Sequence, residues 1–171
     1  MASLVENLIN VLSQECDEYE TVLELARAKT PVIVAGDLDQ LSRITEEEQS
    51  HADRLQNLDN MRSKVTADIA NVINRDVNKL KLKNLIELLD KSPAEQKALS
   101  EVYDRLSSVV HELARVNDQN SELLKSSLEM VDFELNLLNS LKAAPETANY
   151  SGSGYSGGTL GVTRGNFDAK Q

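Results

Sequence analysis

The sequence predicts an all-α protein, an elongated antiparallel helical hairpin or bundle with long helices and a disordered C-terminal tail. Three observations carry that prediction. Apolar residues recur at spacings of three and four over most of the chain. Aromatic residues make up only 4% of 171 residues, and six of the seven glycines lie after residue 150. Residues 1–145 therefore read as one helical bundle domain, and 146–171 as a flexible Gly/Ser-rich tail.

The first helix is written by Val5, Leu8, Leu12, Tyr19, Val22 and Ala26, thickened by Leu4, Cys16 and Leu23. Thr30-Pro31 predicts a restarted turn with proline at its first position, and Gly36-Asp37 a break followed by an N-cap. A second helix comes next, with Leu38, Leu41, Ile44, Ala52, Leu55, Leu58, Met61, Val65, Ile69 and Val72 on one face. Glu46, Glu47 and Glu48 are expected on its solvated side. Periodicity is lost from Asn74 to Leu80, and a short amphipathic piece carries Leu82, Leu85, Ile86 and Leu89. Ser92, Pro93 and Glu95 then form a capping box that opens the longest helix.

That helix has a heptad stripe of Leu99, Val102, Leu106, Val109, Leu113, Val116, Asn120, Leu123, Ser127, Met130, Glu134, Leu137 and Leu141. A second stripe beside it holds Tyr103, Val110, Asn117, Leu124, Val131 and Leu138. From 94 to 142 such a helix would run for about 70 Å. The apolar width exceeds what one coiled-coil seam needs, most of all toward the end, where Leu128 and Leu135 join the two stripes. A third or fourth helix of the same chain, or a second copy, is expected to cover the excess, unless it is left for a partner. Asn117 and Asn120, at i and i+3, are expected to form one polar layer separating the internal part of the helix from the part that serves a partner. Replacing both with leucine is expected to stabilise the bundle and loosen its pairing specificity.

Charge and composition exclude several function classes. A formal net charge of −10 with no basic run gives no grip on nucleic-acid phosphates. The first lysine or arginine is Arg27, and no apolar run nears the roughly 18 residues of a membrane span, so the chain reads as cytoplasmic, without a secretory leader or membrane insertion. The lone Cys16 fits a reducing compartment and reads as a packed thiol, with no base signalled nearby.

Glu48-Gln-Ser-His51 has the spacing with which di-metal bundles present two ligands. The other histidine, His111, has Ser108 where the second glutamate should be, so a solvated helix face is the expectation. Asp37-Leu-Asp39 does not continue as a calcium loop, because its sixth position is Ser42 rather than glycine. The Gly-rich residues 152–161 lack the lysine and the strand-to-helix context of a phosphate loop. No catalytic constellation, metal or cofactor is expected, and the chain reads as a non-enzyme.

Leu113, Val116-Asn117, Asn120, Leu123-Leu124 and Ser127-Leu128 resemble the last helix of flagellar export chaperones of the FlgN type. Tyr19, Leu23, Ala26, Lys29, Gly36-Asp37, Leu41, Glu48, Leu55, Leu58 and Arg62 are similar to that family's helical hairpin. A tail with Tyr150 that ends Phe167-Asp168-Ala169-Lys170 looks like its C-termini. The resemblance covers nearly the whole chain and is weakest over 74–92 and the Gly-rich tail.

It implies a cytosolic chaperone that holds hook-associated, hook-filament junction proteins unpolymerised through their terminal helices. Such a chaperone delivers them to the type III export apparatus, with the export gate as a further contact. The substrate-binding region it implies is 123–141, extended by the tail, and the expected partner-binding residues are Leu123, Leu124, Leu128, Val131, Leu135, Leu138, Leu141, Tyr150 and Phe167. A self-associating coiled-coil structural or scaffold protein is the alternative reading of the same stripes.

Overall fold

A computed structural model describes residues 2–77 and 80–143. They form four helices, α1 (Ala2–Ala35), α2 (Leu38–Val72), α3 (Leu82–Leu88) and α4 (Pro93–Ala143), and no strand occurs among the described residues. The chain divides into two compact units, Met1–Glu134 and Leu135–Gln171, with the end of α4 in the second. No helix among the described residues is long and apolar enough to cross a membrane.

Helix α1 supplies the centre of the first unit. Val5, Leu8, Leu12, Cys16 and Ala26 are fully buried, the outcome expected of a 3-4 stripe facing a core. The turn expected to restart at Pro31 does not exist, because Pro31 lies inside α1. The ring removes one backbone donor, whose acceptor would be the Arg27 carbonyl. Arg27 is on the exposed side, where water can replace that bond, and burial of Val32 and Ile33 anchors the last turn.

The helix then stops at a Schellman turn. The Gly36 N–H donates to the Ile33 carbonyl at 3.1 Å and the Asp37 N–H to the Val32 carbonyl at 3.2 Å. Gly36 has φ +68°, which a side chain would strain. Asp37 caps α2 by accepting the Gln40 N–H at 3.0 Å.

Helices α1 and α2 run antiparallel, as the pairs Arg62–Glu15, Arg54–Glu18 and Lys29–Glu48 require. The seam is narrower than the sequence stripe. Only Ile44, Leu58, Ile69 and Ala70 of α2 are buried, whereas Leu38, Met61 and Val72 are exposed. Polar contacts flank it: Glu48, expected in solvent, forms an ion pair with Lys29, and His51 Nδ1 lies in hydrogen-bonding contact with Glu18 of α1. Glu48 and His51 are therefore bridges between helices rather than the freely solvated face expected.

Helix α2 ends where Asn74 takes φ +53° and the Arg75 N–H reaches back to the Ala70 carbonyl at 2.9 Å. In α3, Leu85 is buried, as is Leu89 just beyond it, and the Gln96 side chain ties the first turn of α4 to the Ile86 carbonyl at 2.9 Å. The Ser92 carbonyl accepts the Gln96 N–H at 3.0 Å, the first helical bond of α4.

Helix α4 runs parallel to α1, since contacts climb both helices together. Cys16 Sγ approaches the Val102 carbonyl at 3.7 Å, Arg105 pairs with Asp17 at 2.8 Å and Glu20 at 2.7 Å, and Arg27 meets Glu112 at 3.1 Å. Leu99, Val102, Leu106, Val109, Leu113 and Val116 join α1, α3 and Ile69 in one core. Exposed pairs of this kind contribute at most about 1 kcal/mol each, so apolar burial dominates the packing.

Candidate partner-binding surface

The surface begins where the core stops, at Asn120. Its side chain is 3% exposed, donates Nδ2–H to the Ala26 carbonyl at 2.7 Å and accepts the Thr30 hydroxyl at 2.7 Å on Oδ1. Both functions of the amide are therefore satisfied against α1. Asn117, expected in the same layer, is exposed. The register device is one asparagine working with a threonine and a backbone carbonyl of α1.

Asn120 is the last buried residue of α4. The reason is the length of α1. Thr30 is level with Asn120, and Gly36 comes six residues later, about 9 Å further along the axis. Past that level the hairpin has turned back, and α4 has no neighbour in the first unit to pack on among the described residues.

The stripe nevertheless continues. Leu123 is half-buried, Leu124 is 37% exposed, Leu128 66% and Val131 50%. Met130 and Phe133 are equally open. At 100° per residue these six side chains span about 220° of the helix circumference, more than one partner helix covers. In the second unit Leu135, Leu137, Leu138 and Leu141 are all at least half exposed. The further helix of the same chain expected to cover the excess width is absent among the described residues. Tyr150 and Phe167 lie outside the described residues, as does the whole tail 146–171.

Sequence reasoning missed three things. Phe133 falls off both stripes, so periodicity passed over it. Val34 and Leu38, which flank the Gly36-Asp37 turn, are 70% and 75% exposed, the most exposed large apolar residues described. Glu15 sits on the buried face of α1, with its side chain only 3% exposed. Arg62 Nη1 donates to its Oε2 at 3.1 Å, and Oε1 has no partner in the structure. Burial pushes the Glu15 carboxyl above its ordinary value of 4.5, against the opposing pull of Arg62 and with help from Asp59. Burial and Glu15 likewise raise the Tyr19 phenol.

Elsewhere the chemistry is that of packing. The Cys16 thiol is buried and its pKa is raised by desolvation, the opposite of an activated nucleophile. No cluster of three or more histidine, cysteine, aspartate or glutamate side chains is placed to hold a metal among the described residues. Glu112, between Arg115 and Arg27, has its carboxyl pulled down to about 2 by hydrogen bonds from both guanidinium groups.

The family described as FlgN protein matches residues 1–156. The uncharacterised protein YvyG of Bacillus subtilis (strain 168) is 26% identical over 132 residues, covering 77% of this chain and 78% of that protein. No solved structure matches. A family match over most of the length, on a helical fold whose last helix is exposed beyond Asn120, has one conclusion: the chain belongs to the FlgN family of flagellar export chaperones.

Proposed function

We propose that this chaperone holds hook-filament junction (hook-associated) proteins by their terminal helices, keeps them from assembling early and delivers them to the type III export apparatus. The observation that carries the reading is the end of α4, which keeps its apolar stripe after losing its internal neighbour. Partner contacts are assigned to Leu123, Leu124, Leu128 and Val131 in the first unit, to Leu135, Leu138 and Leu141 in the second, and to Tyr150 and Phe167 in the tail.

A junction protein's terminal helices expose apolar faces meant for one another, and an equivalent helical face competes for them. Four or five anchors at about 1.5–3 kcal/mol each, less the ordering cost, suffice for micromolar or tighter affinity. Nothing in this scheme needs bond chemistry, so the protein works as a non-enzyme. Its place is the cytoplasm, where substrates wait for export. A net charge of −10 keeps so much apolar surface soluble and argues against nucleic acid as the partner.

Titration calorimetry tests this, using the C-terminal helical segments of the junction proteins from the same organism. The full chain and a version ending at Ala143 are compared. One-to-one binding at micromolar or tighter affinity is expected, and the difference between versions measures the tail. The double substitution Leu135→Asp with Leu138→Asp should leave the helical content unchanged and remove binding. Absence of heat together with growth into large assemblies would instead favour the self-associating scaffold.

A further inference from the structure

The hairpin tip is the unexplained part of the first unit. Val34 is one turn beyond Thr30 on the face of α1 that meets α4, and Thr30 is hydrogen-bonded to Asn120. A residue there should be covered, yet it is 70% exposed, and Leu38 across the turn is 75% exposed. Adding four residues to each helix from the Thr30–Asn120 level sets Val34 beside Leu124, where the open stretch of α4 begins. The tip and the open helix thus form a step whose tread is Val34 and Leu38 and whose riser is Leu124, Leu128 and Val131.

We propose that this step is a single docking surface: a partner helix pair lies against α4 in line with the α1–α2 hairpin and ends on Val34 and Leu38. Continuity identifies the occupant. Past Asn120 apolar residues still recur at spacings of four and three, as Leu124, Leu128 and Val131, so what fits there has the geometry of the hairpin it prolongs. The arc of about 220° is too wide for one helix and suits two.

Charge identifies it further. From 121 to 134 the helix carries Glu122, Glu129, Asp132 and Glu134 against Lys125 alone. The partner is therefore a pair of apolar-striped helices flanked by lysine or arginine. The inference rests on the chaperone reading and deepens it, since the tip would fix how far along α4 the cargo lies.

The test is calorimetry of the full chain carrying Val34→Asp with Leu38→Asp, and separately Val34→Ala with Leu38→Ala, against the junction-protein helical segment that the wild type binds. Both residues are exposed, so helical content and Tm should hold. The alanine pair should weaken binding by about tenfold and the aspartate pair by more, as expected for two partly buried anchors. The aspartates add negative charge toward a basic partner, so a loss reports apolar contact. Wild-type affinity should also fall as salt rises.

Unchanged affinity in both tip variants, with binding lost in the Leu135→Asp, Leu138→Asp chain, would remove the step and leave the chaperone reading intact. No binding by the wild type would overturn both. Sedimentation showing a concentration-dependent dimer that the tip variants disperse would give the step to a second copy and overturn the proposal.

Discussion

Within the first unit α4 behaves as two helices with one pattern. From Leu99 to Val116 its stripe is buried, and from Leu124 onward the same spacing leaves Leu128 66% and Val131 50% exposed. The difference lies in the neighbour rather than in α4. Helix α1 stops at the Gly36 turn, about 9 Å beyond the Asn120 contact, and the α4 residues past that level have no surface of their own unit to bury against among the described residues. The free energy of covering apolar surface is released in folding on one side of Asn120 and is left for association on the other.

The sharpest way to break this comparison is to truncate leucines on the buried side. Leu106→Ala should cost about 2–5 kcal/mol in denaturant unfolding. A smaller but related loss is expected beside α1. Arg62→Met leaves the Glu15 carboxylate buried without its cation, at a cost of about 3 kcal/mol, the low end of the range because the Arg62 side chain is 31% exposed.

Glu15 also gives the pH response a sign. Its folded-state pKa is raised, so the folded chain keeps a proton that the unfolded chain releases near 4.5. The stability from this group is fully present below 4.5 and lost as pH rises through the raised value. Glu15→Gln should remove that dependence. Glu112, held at about 2, acts oppositely: its contribution is present above 4.5 and lost toward pH 2. Unfolding curves of wild type and Glu15→Gln compared across mildly acidic pH should converge toward pH 4.5; parallel curves would mean that Glu15 is hydrated in the folded state.

Much of the scaffold was legible because its signals are local. Gly36-Asp37 announced a turn, and the structure uses the glycine for positive φ and the aspartate as a cap. Pro93 is the first residue of α4, where the sequence put the start of the longest helix. Pro31 misled because tertiary burial of Val32 and Ile33 outweighs one lost backbone bond. Glu15 was invisible because its partner lies 47 residues away. For the surface, spacing identified Leu124, Leu128 and Val131 as apolar positions, but only the length of α1 decides that they are open. Val34 carried no periodic signal, being at the turn, and Leu38, which spacing put on the apolar face of α2, is left open because that face starts at the hairpin tip.

Asn120 marks the border, and its truncation should be milder than a core leucine. Asn120→Ala removes both amide hydrogen bonds, but the Thr30 hydroxyl keeps the Ala26 carbonyl at 3.4 Å. A cost of about 1–2 kcal/mol is expected. Asn117→Ala, three residues away and exposed, should stay within about 0.5 kcal/mol. Equal losses in the two variants would restore the two-residue polar layer.

The smallest effect is the most informative. Leu128→Ala repeats the Leu106→Ala substitution on the same helix, past Asn120. With 66% of the residue in water there is little burial to lose, and alanine is the better helix former. Stability should move by no more than about 0.5 kcal/mol. A loss of about 2 kcal/mol or more would mean that something covers Leu128 in solution. If that loss shrinks on dilution, the cover is a second copy, whose stabilisation depends on concentration. If it does not, the cover belongs to the same chain, and residues 144–171 become the segment to remove next.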